Sequence, residues 1–122
     1  MKNRIEKDSM GEVLVPCDRL YGAQSQRSID NFRIGSEKMP EEVVRSLALI
    51  KKASALVNKM FAIIDDTRVN AIVRACDEIL EGKHKGNFDL SVWQTGSGTQ
   101  SNMNVNEVIA NRAMQLIDEP EC

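Results

Sequence analysis

Apolar residues recur at steps of three and four through most of this chain, a rhythm that predicts helices rather than strands. The cleanest run is Val69, Ile72, Val73, Cys76, Ile79 and Leu80, one stripe on a helix expected over 67–81. Asp65 or Asp66 caps its start and Gly82 is a suitable stop. A longer helix is expected over 40–62, with Pro40 at its first position and Glu41 and Glu42 in its first turn. It carries two stripes, Val43, Leu47, Ile50, Val57 and Phe61, then Leu49, Ala53, Leu56 and Met60. Two stripes imply neighbours on more than one side, and Arg45, Lys52 and Lys59 mark the solvated face. Asp18 can cap a helix over 19–31, although Gly22 inside it costs about 1 kcal/mol relative to Ala. A last helix over 103–117 gathers Val105, Val108, Ile109, Ala113 and Leu116 on one face. Only residues 1–17 read as extended. There Gly11 and Pro16 bracket Glu12-Val13-Leu14-Val15, too short a run to hold a sheet alone, so a small hairpin or an arm is expected.

Composition narrows the class to a mainly α domain. At 122 residues the chain suits one domain. Hydrophobic residues make up 42% but aromatics only 4%, so the core must be built from Val, Ile, Leu, Met and Ala. A net charge of −2 leaves no basic footprint for nucleic acid. No apolar run reaches the length of a membrane span, and the N-terminus has neither a secretory core nor the acid-poor make-up of a transit peptide, so the cytoplasm is expected. Cys17, Cys76 and Cys122 are odd in number and lack a Cys-x-x-Cys, which argues against metal or disulfide roles. Cys76 falls on an apolar stripe and reads as a buried, inert thiol. His84 lies in a polar, glycine-bounded loop and reads as a solvated histidine.

One stretch departs from the rest. All seventeen residues from Leu90 to Asn106 are uncharged in a chain that is 28% charged. Within it, Trp93-Gln94-Thr95-Gly96-Ser97-Gly98-Thr99-Gln100-Ser101-Asn102-Met103-Asn104 passes from a flexible hydroxyl-rich loop into the last helix. The glycines let backbone approach a ligand, and Thr99 or Ser101 can cap the helix. A helix start offers free N–H groups and partial positive charge, which attract carboxylate or phosphate. No Lys follows Gly98 and no third glycine is in place, so neither a Walker loop nor a dinucleotide fingerprint is present. A loop that merely caps a helix is the plainer reading. Beyond it, Asn104, Glu107 and Asn111 share a face, either as a water- or partner-facing ladder or as support for a ligand site. Arg112 could bind a carboxylate, but an ion pair with Glu107 or Asp118 is its commoner fate.

The run from Gln94 to Ala113 resembles the first signature region of class II fumarases, in the fumarase/aspartase superfamily of lyases. Glu6-Lys7-Asp8-Ser9-Met10-Gly11-Glu12-Val13, Tyr21-Gly22-Ala23-Gln24-Ser25-Gln26-Arg27-Ser28, Asn31-Phe32-Arg33-Ile34 and Glu37-Lys38-Met39-Pro40 resemble the family's N-terminal segment, in order. The resemblance covers residues 4–113. It implies the small helical N-terminal domain of that fold: an arm over 1–17, helices over 18–89, a substrate loop over 90–102 and a helix over 103–117. It implies reversible hydration of fumarate to L-malate with no metal or organic cofactor, in a homotetramer. It assigns the substrate carboxylate to Ser97, Gly98 and Thr99, with Thr95, Asn102, Asn104 and Glu107 supporting them. The family's serine base, its histidine and its Lys-Asn ligands, with the central bundle and C-terminal domain, have no counterpart here. The chain alone is therefore expected not to hydrate fumarate. An aspartase-type ammonia-lyase domain and a non-enzymatic helical interaction module are the alternatives.

Overall fold

The computed structural model describes residues 1–117. The order is β1 (Asn3–Asp8), β2 (Gly11–Pro16), α1 (Ala23–Asn31), α2 (Glu41–Met60), α3 (Asp66–Leu80) and α4 (Thr99–Leu116). The expected mainly helical fold with an N-terminal hairpin is what the chain adopts. The strands pair antiparallel from Asn3 opposite Pro16 to Asp8 opposite Gly11. Gly11 sits at φ +112°, a left-handed conformation that a side chain would strain.

A lone two-stranded ribbon is marginal in water, so the hairpin needs anchors. Arg4 is the main one. It is only 8% exposed, and it donates to the carbonyls of Pro16 at 2.9 Å, Arg19 at 2.7 Å and Tyr21 at 2.7 Å. Arg27 on α1 is the other, holding Asp8 through bonds of 2.9 and 3.0 Å. That guanidinium keeps the Asp8 carboxyl below its ordinary pKa, with the Met10 N–H and Gln24 amide helping.

Sequence pattern accounts well for α3 and α4. Asp65 caps α3 by accepting from the Arg68 N–H at 3.0 Å. Val69, Cys76 and Ile79 on α3 and Val105, Val108, Ile109 and Ala113 on α4 are all buried. With Val15, Leu20, Tyr21, Val44 and Ala48 most of them form the core. Cys76 is the expected enclosed thiol, and burial pushes its pKa up to about 11. Cys17, by contrast, is disulfide-bonded, which the odd cysteine count did not anticipate. Cys122 lies outside the described residues.

Two elements differ from expectation. Helix α1 starts at Ala23 with Gly22 as its N-cap, so neither Asp18 nor the preceding turn belongs to the cap. Helix α2 starts at Glu41, with Pro40 just outside it. Its buried line is Val44, Ala48 and Ala55, while Leu49, Ile50, Leu56, Val57, Met60 and Phe61 are exposed. Helices α3 and α4 approach α2 from one side only, and alanines there permit close contact. Lys52 reaches Asp77 on α3 at 2.6 Å and Arg45 donates to the Leu80 carbonyl, so these two cations border α3 instead of marking a free face.

Candidate anion-binding site

The loop before α4 ends in a left-handed glycine. Gly98 has φ 71° and ψ 4° and is the N-cap; no side chain of its own completes the cap. The helix therefore begins at Thr99, not Met103, and Thr99 and Ser101 lie inside its first turn. The cap comes from upstream instead. The Gln94 amide oxygen accepts from the Ser101 N–H at 3.0 Å and from its hydroxyl at 3.2 Å. Gln94 is held in turn by the Ser91 carbonyl at 3.0 Å. Gln94 lies four residues before the N-cap, outside the positions from which a side chain ordinarily caps a helix, and sequence alone does not single it out.

The hydroxyls are engaged within the loop itself: Thr95, Ser97 and Thr99 form a chain, with Oγ separations of 3.4 Å and 3.2 Å, and Ser97 Oγ also accepts from the Thr99 N–H at 3.4 Å. The Gly98 N–H turns back to the Thr95 carbonyl at 3.2 Å. All five residues 95–99 are exposed. Neutral donors thus cluster in the open at the positive end of an 18-residue helix. Asn102, one turn below Thr99, accepts from the Lys51 ammonium at 2.6 Å through its Oδ1.

Asn104, Glu107 and Asn111 point elsewhere. Glu107 reaches across to the start of α1, where its carboxylate accepts from the Gln24 N–H at 3.0 Å, the Ser25 N–H at 2.8 Å and the Ser25 hydroxyl at 2.6 Å. It is the cap that α1 lacks locally. A Cβ at Gly22 would collide with that carboxylate, which explains a glycine here better than turn geometry does. Asn104 donates to Ser25 Oγ at 3.0 Å and to the Asn87 carbonyl at 2.9 Å. Asn87 Oδ1 accepts from the Leu20 N–H at 2.7 Å, and Asn111 donates to the Leu20 carbonyl at 2.6 Å. The polar face is not a water-facing ladder. It is an interior set of pegs that satisfies backbone groups at Leu20, at the start of α1 and at Asn87.

Arg112 and His84 also have unexpected partners. Arg112 binds Glu78 with two bonds, of 2.7 and 3.1 Å, and His84 Nε2 lies 2.6 Å from the same carboxylate. Of the two partners suggested for Arg112, Glu107 is occupied at α1 and Asp118 lies outside the described residues. The histidine is 20% exposed and sits at φ 63°, held rather than solvated. Arg112 foremost, with His84 adding to it, outweighs burial and brings the Glu78 carboxyl down to about 2. This cluster ties α3, α4 and the 82–87 loop together.

Fold and loop together define a helical domain that presents an uncharged, hydroxyl-lined loop at the start of a helix. The chain belongs to the Lyase family, whose model matches residues 11–121. It is 57% identical over 119 residues to a class II fumarate hydratase of Bacillus subtilis (strain 168), covering 98% of this chain and 26% of that protein. It is likewise 57% identical over 117 residues to one from Campylobacter jejuni, covering 96% and 25%. Among solved structures, recombinant class II fumarase from Schistosoma mansoni superposes with a TM-score of 0.96 at 46% identity, over 99% of this chain and 26% of that one. A fumarate lyase:delta crystallin from Brucella melitensis gives 0.92 at 40% identity, over 98% and 28%. The chain thus spans about a quarter of the length of the relatives it matches.

Proposed function

We propose that this chain forms one wall of the active site of a class II fumarate hydratase, where residues 95–99 hold a carboxylate of fumarate or L-malate. The observation that carries this reading is the exposed Thr95–Ser97–Thr99 hydroxyl chain at the head of α4. Ser97, Gly98 and Thr99 are the proposed ligands. Thr95 supports them within the loop, and Asn102 supports them from the first turn below. Asn104 and Glu107 belong to the scaffold that fixes α4 against α1, so their support is indirect.

The chemistry fits such a cradle. Hydration and its reverse pass through a state in which the carbon beside a carboxylate carries charge, and that charge spreads onto the carboxylate oxygens. Donors fixed in place before reaction stabilise the charged state more than the ground state. The described loop residues supply donors and no proton acceptor of suitable strength. The groups that move protons are therefore assigned to the remainder of a full-length enzyme. A homotetramer and a cytoplasmic location belong to the same proposal. Support for assembly comes from the uncovered apolar side of α2, including Leu49, Ile50, Met60 and Phe61.

The test is a chimera in which this chain replaces the matching quarter of the Bacillus subtilis enzyme. The chimera is expected to hydrate fumarate, and the 122-residue chain alone is expected not to. A folded chimera that adds ammonia in place of water would move the chain to an ammonia-lyase, and full turnover by the isolated chain would overturn the assignment of proton transfer to other segments.

A further inference from the structure

Lys51 is a partly buried cation with an unusual partner. Burying a charge is costly unless an opposite charge or several strong hydrogen bonds compensate it. Arg4, Arg27, Lys52 and Arg112 are each partly buried, and each has a carboxylate within 2.9 Å. Lys51 has instead the neutral amide oxygen of Asn102, at 2.6 Å. Burial accordingly lowers its pKa, with no carboxylate among the causes to oppose the shift. An ammonium in this setting is left wanting an anion.

Its partner ties it to the proposed carboxylate site. Asn102 lies one turn below Thr99 on the same side of α4. Because the ammonium holds Oδ1, the amide can face away from Lys51 only through Nδ2, a donor with no hydrogen-bond partner among the described residues. Helix α2 fixes the lysine from below, between the buried Ala48 and Ala55. We infer that Lys51 is a positioning residue for the substrate carboxylate, locking Asn102 as an outward donor and adding a positive charge behind the hydroxyl loop. The inference rests on the proposed dicarboxylate site and extends it to a residue on another helix. It accounts for a cation that a solvated role would leave exposed. A site built only from neutral hydroxyls selects weakly for a dianion; a fixed charge behind it adds attraction that salt weakens.

The experiment uses the chimera described above, with Lys51→Met, Lys51→Arg and Thr99→Ala made separately. Lys51→Met is expected to raise KM for fumarate about ten-fold, the size of one lost charge-assisted contact, with a smaller change in kcat. Lys51→Arg, which keeps the charge and donors, is expected to recover most of that loss. The KM of the parent chimera should rise with ionic strength more steeply than that of Lys51→Met. Melting temperature should change little in Lys51→Met, because relief of the partly buried charge offsets the lost bond to Asn102. Equal KM values in Lys51→Met and the parent would overturn the inference. So would a loss that Lys51→Arg fails to recover, or equal salt slopes. If Thr99→Ala impairs fumarate use while Lys51→Met does not, the site stands and the role of Lys51 falls. If Thr99→Ala also has no effect, the proposed site itself falls.

Discussion

The loop at the head of α4 and the inward face of the same helix put similar residues to opposite uses. At the head of α4, Thr95, Ser97 and Thr99 are exposed, bond mainly to one another, and satisfy nothing in the core. One to three turns further on, Asn104, Glu107 and Asn111 are turned inward, and each closes a backbone group elsewhere in the fold: the Asn87 carbonyl, the first N–H groups of α1 and the Leu20 carbonyl. Both sets are polar and neighbours in sequence. What separates them is where their hydrogen bonds end. A polar group whose partners are other parts of the fold contributes stability, whereas one left facing water is available to a ligand. The comparison predicts that substitutions in the inner set lower stability and that those in the outer set spare it.

The largest effect lies in the clamp that holds α4 from below. Glu78 has a folded pKa of about 2 against an ordinary value of 4.5. A depressed carboxyl stabilises the fold fully above its unfolded pKa, and that contribution fades as pH falls from about 4.5 to about 2. The loss should approach about 3 kcal/mol. Denaturant titrations of the chain across that window should show it, and Glu78→Gln should flatten the same window while being less stable at pH 7. Close behind comes Glu107→Ala, which strips three donors at α1 of their acceptor and should cost about 2–3 kcal/mol. Gly22→Ala, which drives a methyl into the same carboxylate, should lower stability by about 1–3 kcal/mol. Asn104→Ala should cost about 1–2 kcal/mol. Ser97→Ala marks the small end, with a change within about 0.5 kcal/mol. A Ser97→Ala loss as large as that of Asn104→Ala would erase the distinction between the two sets.

What the sequence made legible follows the same divide. Helices whose buried face is set by their own repeat, α3 and α4, could be read from residue spacing, as could Asp65 as a cap and Cys76 as a core thiol. The hairpin was legible because Gly11 and Pro16 bound an apolar run. The interior pegs were not. Glu107 caps a helix more than eighty residues away in sequence, and no local pattern encodes that. The same holds for Arg112 and His84 meeting at Glu78. On α2 the periodicity was real but did not say which stripe this chain itself covers. Val44, Ala48 and Ala55 are buried and Leu47 packs against the core, while Leu49, Ile50, Leu56 and Val57 remain exposed. Hydrophobicity alone ranks Leu and Ile above Ala, although close helix contact favours the smaller residue. Among the site residues, the loop was recognisable from its lack of charge and its glycines. Gln94 and Lys51 were passed over because each acts through a partner's backbone or amide.

The central claim is that the hydroxyls of Thr95, Ser97 and Thr99 satisfy nothing in the core and so can hold a carboxylate. The direct test is Thr99→Ala in the chimera, with kinetics and thermal unfolding measured on the same preparation. The account predicts that kcat/KM for fumarate falls about a hundred-fold, the scale of one lost donor to developing charge, while the melting temperature stays within about 2 °C. Unchanged kinetics, or a kinetic loss matched by a collapse in melting temperature, would contradict it.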